Sequence, residues 1–261
     1  GLRSKELSSD EATRILDELT LVARKQWDKP PDSFTMKDVV PWRYRRRLSA
    51  VFRPILQYDV ADDPNCLVVP SFIRDGFVYR LDRTYRAEFD DSQFGSVEMK
   101  RWIGLRRHEA GHQFNHEVGE RLRNLGWRCE VEISPPTLGI DVGDRDYGDV
   151  DVLAWHDQLS RVGVIECKDL MFAKTPGEIA RQLREFRGKY DSHGQPDRLR
   201  RHLDRLELLQ NNREAVSAYT GMSDAVPESA LVFRNVVPIE FLDDAQVKRA
   251  RVVYFTGLAQ L

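Results

Sequence analysis

Apolar and polar positions fall into stretches of different period along the chain. Residues 8–27 carry Ile15, Leu16, Leu19, Leu21 and Val22 on one side of a helical wheel, with Ser8, Ser9 and Asp10 as cap candidates. The segment KPPDS ends that pattern, and residues 36–57 read as a second helix, with Pro41 near its start and Pro54 near its end. The period then shortens. CLVVPSF and FVYRL, separated by Arg74, Asp75 and Gly76, predict a short strand pair, and EFDDSQFGS reads as a linker.

From residue 98 a long helical pattern runs to Leu125 and stops at Gly126, as a glycine just past a helix end would stop it. Its apolar stripe is Phe114, Val118, Leu122 and Leu125. WRCEVEI predicts a strand, residues 134–148 a loop, and DVDVLAW and RVGVIECK a hairpin turned by His156 to Ser160. Thr175-Pro-Gly-Glu178 opens a further helix as a capping box with Pro176 in its first position. A polar helix over 195–212 and two late strands, SALVFRNVV and RVVYFT, complete an α/β pattern. Residues 1–95 are expected to form an accessory region and 96–261 the main domain.

Composition narrows the options. Lys and Arg total 40 against 42 Asp and Glu, so any affinity for nucleic acid has to come from local clusters rather than net charge. No apolar run approaches the roughly 18 residues of a membrane span, and GLRSKELSSDEA lacks the apolar core of a signal peptide. Cys66, Cys129 and Cys167 are too few and too scattered for a disulfide framework. A cytoplasmic protein is expected. The chain opens at Gly1 rather than Met, as a piece of a larger multidomain protein would, and a homodimer is the other expected context.

The chemistry concentrates in GDVDVLAW–turn–VGVIECKDL. Side chains two apart on a strand share a face, so Glu166 and Lys168 point together and Cys167 points away into apolar packing. Asp151 starts the partner strand, and pairing brings its carboxylate near Glu166. Three charges inside an apolar sheet cost several kcal/mol unless matched. Mg²⁺, which favours oxygen ligands and keeps waters for a phosphate to displace, matches them, and Mn²⁺ is expected to substitute.

This arrangement resembles the PD-(D/E)XK nuclease superfamily. Glu166-Cys167-Lys168 corresponds to its (D/E)-X-K half-motif and Asp151, ahead of Val-Leu-Ala, to its first acid; the proline is absent. Asp149, on the same expected strand face, is the other candidate for that acid. The resemblance covers roughly residues 98–190 and at its widest reaches 256. It implies a restriction-endonuclease-like core with a mixed sheet between helices. It also implies a metal-dependent deoxyribonuclease in which Asp151 and Glu166 hold the metal and Lys168 orients the attacking water, in a setting of microbial defence, restriction or repair. Two further positions correspond to helical residues of some family branches: Glu117, about 60° off the helix stripe, and Gln182, four residues before Phe186 and at the edge of the stripe made by Ile179, Leu183 and Phe186.

Three basic clusters are candidate phosphate contacts: Arg198, Arg200, Arg201 and Arg205; Lys100, Arg106 and Arg107; and Arg43, Arg45, Arg46 and Arg47 beside Trp42 and Tyr44. DNA is the expected partner, although nothing in the chain reads base edges. A rival reading rests on His108-Glu109-Ala110-Gly111-His112, the HExxH pattern of zinc peptidases. Against it stand Arg106 and Arg107 before the motif, the lack of a third ligand further along, and the outward orientation of both histidines, roughly 120–160° from the Phe114 stripe. A non-catalytic nucleic-acid-binding module on the same fold is the remaining alternative.

Overall fold

A computed structural model describes residues 8–26, 28–41, 46–89, 94–223 and 225–261. The chain forms two compact units, residues 1–106 and 107–261.

In the first unit, helix α1 (Ser9–Leu19) starts on a capping box between Ser8 and Glu11. It ends earlier than its apolar pattern suggests because Thr20–Val22 leave it as strand β1, which pairs in parallel with β2 (Ile55–Gln57). Among the described residues of the expected helix over 36–57, only α2 (Met36–Val39) is helical. The physical reason is Pro41, which pushes the preceding Val40 into extended backbone (φ −62°, ψ 124°) and stops the helix there. Arg43, Arg45, Trp42 and Tyr44 lie outside the described residues, as do residues 90–93 of the expected linker.

The expected second strand FVYRL is helical. Only Cys66–Val68 form strand β3, antiparallel to β2, and α3 (Pro70–Tyr85) follows with Pro70 in its first turn. The spacing of Ile73, Phe77 and Leu81 is helical; with Ile15, Leu19 and Phe52 they line an open apolar groove of about 980 Å³. Gly76 is needed inside that helix, since a Cβ there would stand 2.7 Å from the Val51 carbonyl oxygen.

The second unit holds a mixed five-stranded sheet in the order β4 (Arg128–Ile133), β5 (Val150–His156), β6 (Arg161–Lys168), β7 (Pro227–Phe233), β8 (Arg251–Tyr254). β4, β5 and β6 pair antiparallel, and β6, β7 and β8 parallel. The sheet has a separate apolar core on each face. On one, the stripe Phe114, Val118 and Leu122 of α4 (Val97–Asn124) meets Val152, Ile165, Cys167 and Val232. On the other, Leu199, Leu203, Leu206 and Leu209 of helix α6 (Arg198–Asn211) meet Leu153, Val164, Leu231 and Phe233. Helix α5 (Pro176–Glu185) begins at the expected cap, with Thr175 accepting from Glu178 N, but the Glu178 carboxylate accepts from Lys174 N instead of closing the expected box on Thr175. A helix not foreseen, α7 (Arg213–Thr220), follows α6 directly and stops at Gly221 with φ +76°. No helix among the described residues is long and apolar enough to cross a membrane.

Candidate active site

The β5–β6 ladder is regular from the turn to Val152↔Ile165 and stops there. Beyond that point β6 stays paired with β7 through Lys168↔Phe233. The released end of β5 carries Asp151, whose Oδ2 accepts from Cys167 N at 2.8 Å in place of a backbone partner. A polar pocket of about 290 Å³ opens at this end of the hairpin.

Three expected residues meet here. Lys168 Nζ lies 2.6 Å from Glu166 Oε1 and 3.3 Å from Asp151 Oδ2. Cys167 faces the opposite core and is buried, as the alternation of a strand requires. Asp149, the other candidate for the first acid, precedes β5 and lines the same pocket.

α6 supplies the rest. It is fixed at its start by Asp197, whose carboxylate caps Arg200 N at 2.8 Å and also accepts from the amides of Arg187, Gly188 and Lys189. Arg205, only 5% exposed, donates through Nη2 to Glu166 Oε2 at 2.6 Å and through Nη1 to the Asp149 carbonyl. His202 stands with Nδ1 3.7 Å from the same carboxylate oxygen, while its Nε2 meets Ser229 Oγ at 2.7 Å. Both residues escaped assignment to the site: Arg205 reads in the sequence as a surface phosphate contact, and His202 carries no motif. A signal exists nonetheless. Around the helix, His202 falls between Leu206 and Leu209, inside the buried stripe, so a polar partner in the core was to be expected.

The electrostatics follow from burial and neighbours. Burial, then repulsion from Glu166, pushes the Asp151 carboxyl up to about 6 despite the pull of Lys168. Glu166 is buried more deeply, and burial alone would raise it, but Lys168, Arg205 and His202 together hold it down at about 2. The two carboxylates oppose the desolvation of Lys168 and keep its ammonium above the ordinary lysine range. Burial pushes His202 down to about 4, so it is neutral at pH 7.

Other expected residues are placed elsewhere. Glu117 pairs with Arg234 at 2.9 Å, which also binds Asp169 at 2.7 Å; Glu117 does not line the pocket. Gln182 is buried rather than at the stripe's edge, and its amide donates to the Met171 carbonyl at 2.7 Å. Arg200 is held by Asp204 and Glu207 at 2.5 and 2.8 Å. Arg198 and Arg201 line the pocket and are exposed, with Arg198 3.3 Å from Glu185. Arg106 and Arg107 are exposed on α4, outside this pocket. On the same helix His108 is exposed and His112 partly so, but a residue the sequence did not single out, Glu132 of β4, meets the His112 ring.

A family model described as anti-phage protein Upx-like matches residues 2–255. The chain belongs to this Upx-like family. The match takes in both units, and the family's description agrees with the defence setting expected from the sequence. No curated protein matches the chain, and no solved structure does.

Proposed function

We propose that this Upx-like chain is a divalent-cation-dependent deoxyribonuclease on a restriction-endonuclease-like core, acting in phage defence, with Asp151, Glu166 and Lys168 at its centre. The observation that carries the reading is the convergence of these three groups where β5 and β6 separate. Oxygens of both carboxylates stand within 3.3 Å of one Nζ, so Asp151 and Glu166 face the same small polar space. No set of three His, Cys, Asp or Glu side chains among the described residues is arranged for a metal. A pair of carboxylates suffices for Mg²⁺, which keeps several waters and takes further oxygens from a phosphate. The residues fit that ion, and Mn²⁺ by the same chemistry.

Asp151 and Glu166 would hold the metal, which when bound polarises a phosphate oxygen and acidifies a water. Lys168 keeps its proton at neutral pH, so it serves as a charged hydrogen-bond donor to the phosphorane-like transition state rather than as a base. Arg205 fixes the orientation of Glu166 from behind. The pocket is lined by Lys168, Arg198, Arg201 and Arg205 against Asp149, Asp151 and Glu166, a surplus of positive charge that favours a polyanion. Arg198 and Arg201 at the rim suit flanking phosphates.

The direct test is incubation with plasmid and linear DNA in Mg²⁺, Mn²⁺ or EDTA. Cleavage is expected with either cation, none in EDTA, and none with Glu166→Ala under any condition. DNA binding without cleavage in all of them would replace this reading with that of a non-catalytic module.

A further inference from the structure

A second group of metal-binding side chains lies outside the pocket. His108 and His112 are one turn apart on α4, and their Nε2 atoms face each other at 3.0 Å. The far nitrogen of His112, Nδ1, meets Glu132 Oε1. That carboxylate is itself held by Asn115, whose Nδ2 donates to the same oxygen at 3.0 Å. Glu132 reaches α4 from a left-handed backbone conformation, φ +57°, at a point where the β4–β5 ladder skips a pair between Val131↔Val152 and Ile133↔Val150.

A carboxylate only accepts, so Nδ1 of His112 carries a hydrogen, and in the neutral ring Nε2 then presents a lone pair toward His108. Two nitrogens, each ~2.0–2.1 Å from one ion and about 90–110° apart, lie roughly 2.9–3.4 Å from one another. The spacing here is within that range. A carboxylate on the second ring nitrogen is the arrangement that orients a metal-binding imidazole and raises its basicity. We infer that His108 and His112 form a binding site for a late first-row divalent cation such as Zn²⁺ or Co²⁺, with Glu132 orienting His112 from behind. Imidazole nitrogens select these ions over Mg²⁺. With no third side chain converging among the described residues, and His108 exposed, the other coordination positions fall to water or an outside ligand. The site is chemically distinct from the carboxylate pocket and stands without the nuclease reading.

The test uses untagged, chelator-treated protein in excess Mg²⁺, titrated with Co²⁺ and followed by its visible absorption, then displaced with Zn²⁺. One equivalent of Co²⁺ should bind. His108→Ala and His112→Ala should each weaken binding at least tenfold, and Glu132→Gln by about 10–100-fold. Thermal melts establish that each variant is folded, and the double variant Asp151→Asn/Glu166→Gln should retain the Co²⁺ spectrum. Binding no tighter in the wild type than in the His108→Ala/His112→Ala protein, or a spectrum lost with the two carboxylates instead, overturns the proposal.

Discussion

Neighbouring residues of β6 serve two different interiors. Ile165 and Cys167 enter the core beneath α4, where Phe114, Val118, Leu122 and Val232 surround them with hydrocarbon. Glu166 and Lys168 turn to the α6 face, where the apolar packing of Leu153, Val164 and Leu203 gives way to Arg205, His202 and Asp151. One face is held by area removed from water, which is indifferent to precise direction. The other is held by charge in a desolvated space, where Glu166 depends on Lys168 and Arg205 and the loss of either cation is costly. Such an arrangement contributes little to stability compared with an apolar one of the same volume, and this is why the proposed active centre is assigned to that face.

The largest expected effect separates the faces by stability. Arg205→Ala removes the buried partner of Glu166 and should destabilise the protein by about 3–5 kcal/mol, measured by urea unfolding. If the loss is under ~1 kcal/mol, the charged face tolerates disruption as a surface would, and the contrast fails.

Lys168→Ala should lower the single-turnover cleavage rate by about 10²–10³-fold while retaining most DNA affinity, which comes from dispersed phosphate contacts. Cleavage at the wild-type rate would remove Lys168 from the chemistry.

The pH response sharpens the comparison because the two carboxyls shift in opposite directions. Asp151 is raised from 3.8 to about 6, so its contribution to stability is full below pH 3.8 and is lost as pH rises through about 6. Glu166 is lowered from 4.5 to about 2, so its contribution is present above pH 4.5 and is lost as pH falls toward 2. In EDTA at pH 7, Asp151→Asn should therefore stabilise the protein by about 1–3 kcal/mol and flatten the change between pH 4 and 6. Unfolding curves across pH 4–8 decide this, and an unchanged or less stable variant contradicts it.

The smallest effect is on the apolar face. Cys167→Ala should cost about 1 kcal/mol and leave cleavage by the folded protein unchanged. Burial also raises the Cys167 thiol well above its ordinary range, so alkylation of the native protein should be slow. A large loss of cleavage in this variant would mean that the two faces are coupled.

The elements of the second unit were legible where period and caps agreed: α4 with its Phe114 stripe, the β5–β6 hairpin, and the Thr175 cap. In the first unit, local pattern misled at FVYRL, because four to five apolar residues around a glycine suit a strand as well as a buried helix. The glycine's purpose, room for the Val51 carbonyl, is a contact across the fold that spacing does not show.

Alternation along β6 by itself determined that Glu166 and Lys168 share a face and that Cys167 does not, because a strand's side-chain period is two whatever surrounds it. Tertiary structure alone decided which partners each residue meets. It brought Arg205 inward to Glu166, sent Glu117 to Arg234 and buried Gln182 against the Met171 carbonyl. It also delivered Glu132 to His112 through a backbone conformation that no residue type announces. Each of these pairings is made by the fold rather than by local spacing, and where the groups are buried, as Arg205, Glu166 and Gln182 are, no water can replace the partner.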